Sequence, residues 1–138
     1  MVLARLLLIS VVLLVAAGCG GGGSVSQKDV QKQFEAIQSL AAEGALVADG
    51  AADGRTTDVF VRVHTGYLDK AARKVEGQLS SARASGAAER DRVRAARLAA
   101  SVAGELARLG DDPGDRAGAR RIEQQLQQDA SAAERQAQ

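Results

Sequence analysis

Residues 56–79, TTDVFVRVHTGYLDKAARKVEGQL, can be read with two periods, and the choice between them decides the fold. Val59, Val61 and Val63 alternate as in a half-buried strand. Phe60, Val63, Tyr67, Leu68, Ala71, Val75 and Leu79 recur at helical spacing, with Arg62, Asp69, Arg73 and Glu76 opposite. No second strand-like run exists to pair with VFVRV, and a lone strand leaves its backbone groups unsatisfied. The stretch therefore predicts a helix, capped by Thr56 or Thr57 and running to about Ala84.

The flanking segments carry the same period. From Gln27, the residues Val30, Phe34, Ile37, Ala41, Gly44, Ala48 and Ala51 step by four and three, with Leu40 and Val47 beside them. Ser26 with Asp29 three residues on forms a capping box, and Gly50 or Gly54 can end the helix in a left-handed conformation. Ser85 and Gly86 interrupt the chain before a third helix from about Ala87 to Leu109. Its stripe is broad: Val93, Ala96, Ala100 and Ala103 on one side, Leu98, Val102 and Leu109 on the other, Leu106 between. Such width implies two neighbours. In GDDPGD, Gly110 can end that helix, Asp112 can cap the next, and Pro113 suits its first position. The fourth helix presents Ala119, Ile122, Leu126, Ala130 and Ala133 on one face.

Four amphipathic helices of similar length, joined by turns too short for crossovers, predict an all-α, antiparallel up-down-up-down four-helix bundle over residues 27–138. Its seams are rich in Ala and Gly, and the chain holds only two Phe and one Tyr, so the core is lean. A runner-up is a pair of helical hairpins that completes its core by forming a homodimer.

The amino-terminal segment has a different character. MVLARLLLISVVLLVAAGC carries Arg5 as its only charged side chain, then an apolar run over residues 6–17 broken by Ser10. As a helix that run spans about 18 Å, well short of the roughly 30 Å hydrocarbon core of a bilayer. It reads as a cleavable export signal, residues 1–18. Ala16, Ala17, Gly18 and Cys19 resemble the lipobox of bacterial lipoproteins, although leucine is more usual where Ala16 stands. The resemblance covers residues 1–19 only. It implies a diacylglycerol on the Cys19 sulfur, cleavage just before Cys19, and a mature chain held at the extracytoplasmic face of a cell membrane, inner or outer. Two acyl chains anchor stably where one does not. The other reading is an ordinary secretory signal followed by a free thiol, because a single cysteine has no internal disulfide partner.

Residues 20–26, GGGGSVS, follow as a flexible linker spanning on the order of 15 Å, which keeps the bundle close to the membrane. The chain has 18 Lys plus Arg against 17 Asp plus Glu; residues 1–18 contain Arg5 and no acid, so from Cys19 onward the count is 17 against 17. That balance argues against a nucleic-acid binder, which neutralises many phosphates with excess cations.

Little in the bundle points to chemistry. His64 is the single histidine, and as a haem or metal ligand it lacks companions: zinc needs three or four protein ligands, and Val61, not Glu, stands three residues before it, which excludes the Glu-x-x-His pair of di-iron bundles. The serines have no GxSxG elbow, the four glycines lack the GK[ST] ending of a phosphate loop, and Asp111 and Asp112 are explained by capping. No catalytic residue, metal or cofactor is expected. The candidate binding surface comprises Phe60, His64 and Tyr67, in the most distinctive stretch of the bundle, with an arginine stripe of Arg90, Arg94 and Arg97 on the third helix. The expected function is a non-enzymatic lipoprotein that contacts an envelope protein or cell-wall component. The alternative is a carrier or sensor that holds an apolar ligand or haem between helices at His64 and Tyr67, which requires a cavity of a few hundred cubic ångströms.

Overall fold

The computed structural model describes residues 23–138. Cys19, the expected export signal over residues 1–18 and residues 20–22 of the glycine run lie outside the described residues. Four helices follow one another: α1 (Gln27–Ala52), α2 (Asp58–Ser81), α3 (Gly86–Asp111) and α4 (Arg116–Ala137). The connections, 53–57, 82–85 and 112–115, allow only hairpins, so each helix runs antiparallel to the one before it. Among the described residues no helix is long and apolar enough to cross a membrane. The fold is the up-down-up-down bundle that the periodicity predicts.

The helices meet most closely as two pairs, α1 with α4 and α2 with α3; α1 also reaches α3 across the diagonal, whereas α2 and α4 do not approach. The section is thus a flattened rhombus. Val30, Phe34, Ile37, Leu79, Val102, Leu106 and Leu126 fill the larger core cluster, and Val47, Ala48, Ala51, Val61, Leu109 and Ala119 form a smaller one where α1 ends and α2 begins. Among the described residues both clusters draw on residues 25–137. The short diagonal depends on Gly44: a Cβ there would stand 2.7 Å from Leu106 Cδ2 and 3.1 Å from Leu126 Cδ1.

The helix ends show which sequence signals operate. Ser26 and Asp29 make the expected capping box. Thr57, rather than Thr56, caps α2, its hydroxyl accepting from the Phe60 N–H at 3.2 Å. Gly54, at φ 69°, ends α1 in a Schellman arrangement, with the Arg55 N–H on Gly50 O at 2.8 Å and the Gly54 N–H on Ala51 O at 3.1 Å.

Two expectations are corrected. Asp112 does not cap α4: it closes α3, and the turn through Pro113 and Gly114 brings the Asp115 N–H to Asp112 O at 3.2 Å. The helix therefore starts later, at Arg116, and the Asp115 carboxylate accepts from the Gly118 N–H at 2.9 Å. The second correction concerns α2. Its buried seam is Val61, Thr65, Leu68, Ala72, Val75 and Leu79, stepping strictly by four and three, while Phe60, Val63 and Tyr67 lie on the flank outside it. The seam takes a polar Thr65 because its hydroxyl is satisfied by Val61 O at 2.8 Å and packs against Gly110 of α3, where a large side chain has no room.

Candidate functional site

The displaced flank of α2 is the most exposed apolar surface of the described residues. Val59 is 72 % exposed, Phe60 48 %, Val63 53 % and Tyr67 69 %, and Leu46 on α1 is 73 % exposed. Val59, Phe60, Val63 and Tyr67 share the flank of α2 and together present on the order of 400 Å² of large apolar side chain, the size at which a patch on a monomer is often functional. His64 ties the patch across the groove between the two helices: its Nε2 lies 2.8 Å from Glu43 Oε1 on α1, and its ring stacks on Phe60 with centroids 5.2 Å apart and planes 13° from parallel. Leu46 stands one turn beyond Glu43, and Phe60 one turn before His64, so antiparallel packing carries both toward the same end of the bundle.

The position of this patch follows from the chain path. Val25 donates its N–H to Arg83 O at 2.8 Å and Arg83 returns its N–H to Gly23 O at 3.3 Å, which lays residues 23–25 along the α2–α3 turn. The segment leading back toward Cys19 thus leaves from the end where α2 finishes. Phe60, near the start of α2, is about 30 Å away along the helix axis. The patch therefore sits at the end of the bundle remote from residues 23–25.

The arginine stripe belongs to the other end. Arg90, Arg94 and Arg97 lie in the first half of α3, beside the end of α2, and are not brought to Phe60, His64 and Tyr67. The candidate surface is two surfaces. Arg94 pairs with Asp91 at 3.5 Å, and Arg94 and Arg97 line a groove toward α4 that Arg135 completes. Arg135 carries no signal of its own in the sequence; only the α3–α4 register brings it there. Between the same two helices Asp129, buried on α4, accepts from Ser101 Oγ of α3 at 2.9 Å and from Gln125 Nε2 at 3.0 Å.

Elsewhere the charges serve the fold. Arg120 at the start of α4 reaches Asp53 Oδ1 at 2.5 Å, Asp49 Oδ1 at 3.2 Å and Glu123 Oε2 at 2.7 Å, and Arg55 joins the same two aspartates. The hydrogen bond from Arg120 holds the Asp53 carboxyl below its ordinary range, and the bond to Glu123 first, then that to Asp53, raises the Arg120 guanidinium. Arg92 forks onto Glu89 at 2.7 and 2.8 Å, which lowers the Glu89 carboxyl, and donates to Leu79 O at 2.5 Å, satisfying a carbonyl of the last turn of α2.

Among the described residues no three of His, Cys, Asp and Glu gather as metal ligands. None of the five clearest grooves is lined by His64 or Tyr67. Compared with known proteins, the chain matches no family model, no curated protein and no solved structure.

Proposed function

We propose that this chain is a lipoprotein anchored through Cys19 at the extracytoplasmic face of a membrane, and that it acts without catalysis by presenting an apolar contact surface to another protein of the cell envelope. The observation that carries the contact role is the placement of Val59, Phe60, Val63 and Tyr67 on one exposed flank of α2 remote from residues 23–25. A module held by one end can reach a partner only with surface turned away from the membrane, and this patch meets that condition. Stacking of His64 on Phe60 and its bond to Glu43 hold part of the patch in one shape before a partner arrives, which lowers the ordering cost of association. The anchor itself rests on the lipobox resemblance.

Intact mass and membrane fractionation of wild type beside Cys19→Ala test the anchor. A diacylglyceryl mass and membrane association that both disappear in the variant support it; two soluble, unmodified proteins overturn it. For the surface, a photocrosslinking residue at position 67 of the membrane-bound chain is compared with and without Phe60→Ser. A defined heterologous adduct that is lost with Phe60→Ser supports an envelope partner. An adduct of twice the chain mass makes the occupant a second copy, and no adduct removes the role of the patch.

A further inference from the structure

A second built surface lies between α3 and α4, at the end of the bundle where residues 23–25 lie. Here a groove of about 390 Å³ opens between the first half of α3 and the last turns of α4. Its floor is apolar: the half-buried Leu98 of α3 and Ala132 of α4 line it above the buried Phe34 of α1. Its rim is cationic, with Arg94 and Arg97 on one wall and Arg135 on the other. Arg94 has Asp91 at 3.5 Å, but among the described residues neither Arg97 nor Arg135 has a carboxylate partner. Ser101, the hydroxyl of the lining, is committed to the buried Asp129.

Arg55, Arg73, Arg92, Arg108, Arg120 and Arg121 each have a carboxylate within 4 Å, whereas among the described residues Arg62, Arg83, Arg90, Arg97, Arg116 and Arg135 have none. Arg97 and Arg135 differ from the other four in facing each other, with Arg94, across one groove with an apolar floor. Three like charges around one groove repel one another, and an anion between them removes that repulsion. A guanidinium fork also matches a phosphate through paired hydrogen bonds better than it matches a halide or a single oxygen. A hydrophilic phosphate would leave the half-buried Leu98 and Ala132 uncovered; an anionic amphiphile covers them and meets the arginines at once. The volume suits a phosphate headgroup with the first part of one acyl chain.

We infer that the α3–α4 groove binds one anionic phospholipid, its phosphate on Arg94, Arg97 and Arg135 and its chain along Leu98 and Ala132. The binding chemistry stands on the groove alone. That the lipid comes from the tethering membrane rests on the anchor proposed above: the groove runs out at the end of α4, at the same end of the bundle as residues 23–25, so the supporting bilayer is the nearest source. Bound lipid would make a second attachment that orients the bundle, with the Phe60 patch turned outward.

Because both core clusters, among the described residues, draw on residues 25–137, the test uses residues 19–138 with Cys19→Ser, free of any lipid anchor. Monomeric dihexanoyl phosphatidylglycerol, dihexanoyl phosphatidylcholine and inorganic phosphate are titrated separately, with calorimetry and the backbone amide shifts of Leu98 and Ala132 as readouts. The expected result is saturable one-to-one binding of the phosphatidylglycerol, at least tenfold tighter than either other probe. Arg97→Gln with Arg135→Gln should weaken it at least tenfold, and Ala132→Phe, which fills the floor and keeps every arginine, should do the same with unchanged helical circular dichroism. Equal binding of phosphatidylcholine, equal binding of phosphate, or no binding of phosphatidylglycerol each overturns the proposal. Failure here leaves the Cys19 anchor standing, and a soluble, unmodified wild-type chain leaves the groove result standing.

Discussion

Gly44 of α1 and Leu106 of α3 approach so closely that a single added methyl group at Gly44 would stand 2.7 Å from Leu106 Cδ2. Leu106 and Leu126 are both fully buried and press on the same point, so neither can swing aside. Gly77 on α2 has nothing within 4 Å of a built Cβ. Both residues sit inside helices, where Gly to Ala gains up to about 1 kcal/mol of helix propensity. Gly77→Ala should therefore raise stability by about 0.5–1 kcal/mol, whereas Gly44→Ala loses that gain to overpacking of about 1–3 kcal/mol. Urea midpoints of the two variants check the contrast.

The aromatics divide in the same way. Phe34 is buried in the larger cluster, and Phe60 lies on the exposed flank of α2. Phe34→Ala should cost about 3–5 kcal/mol. Phe60→Ser should stay within about 1 kcal/mol of wild type, since it loses only a partial stack on His64. Loss of partner crosslinking by Phe60→Ser with a near-normal melting temperature would separate contact from folding.

The Arg120 and Asp53 pair makes stability depend on acid. The hydrogen bond from Arg120 lowers the folded-state pKa of Asp53 below its unfolded value, so the contribution is fully present above the unfolded carboxylate range and disappears as pH falls through the folded value. Asp29, lowered by its bonds to Ser26, and Glu89, lowered by Arg92, act with the same sign. Arg120→Gln should thus lower the melting temperature at pH 7 and differ less from wild type near pH 2. Melts at the two pH values decide it.

The start of α4 gives a local test. Asp115 caps the helix through Gly118 N–H, and Asp112 does not. Asp115→Ala should cost about 1 kcal/mol, with Asp112→Ala the smaller loss. Chemical denaturation of the pair reads this directly.

Asp129 is buried with two neutral donors and no cation among its hydrogen-bond partners. Ser101→Ala removes one donor and should cost about 1–3 kcal/mol, because the carboxylate loses part of its solvation. Since this bond ties α3 to α4 beside the groove, Ser101→Ala should also loosen the groove that Arg135 completes, seen as faster amide exchange at Ala132 and Ala133.

What local sequence determined here is whatever depends on short-range periodicity and on end chemistry. The four-three spacing from Val30 to Ala51, the capping box at Ser26 and Asp29, and short hairpin turns suffice for four helices in antiparallel order. Those signals act within one helix or one turn, so they need no knowledge of neighbours. The face that each helix buries is different. Phe60, Val63 and Tyr67 look like core by size and spacing, yet the seam passes through Val61, Thr65 and Leu68, because α3 offers Gly110 opposite Thr65 and because α4 never comes near α2. Hydrophobicity says that a side chain gains from burial; only the packed partner decides whether there is a surface to bury it against. The same holds for the arginines. Arg94 and Arg97 are visible as a stripe, but their meeting with Arg135 above Phe34 depends on how α3 packs beside α4, where Ser101 bonds Asp129 28 positions away in the chain.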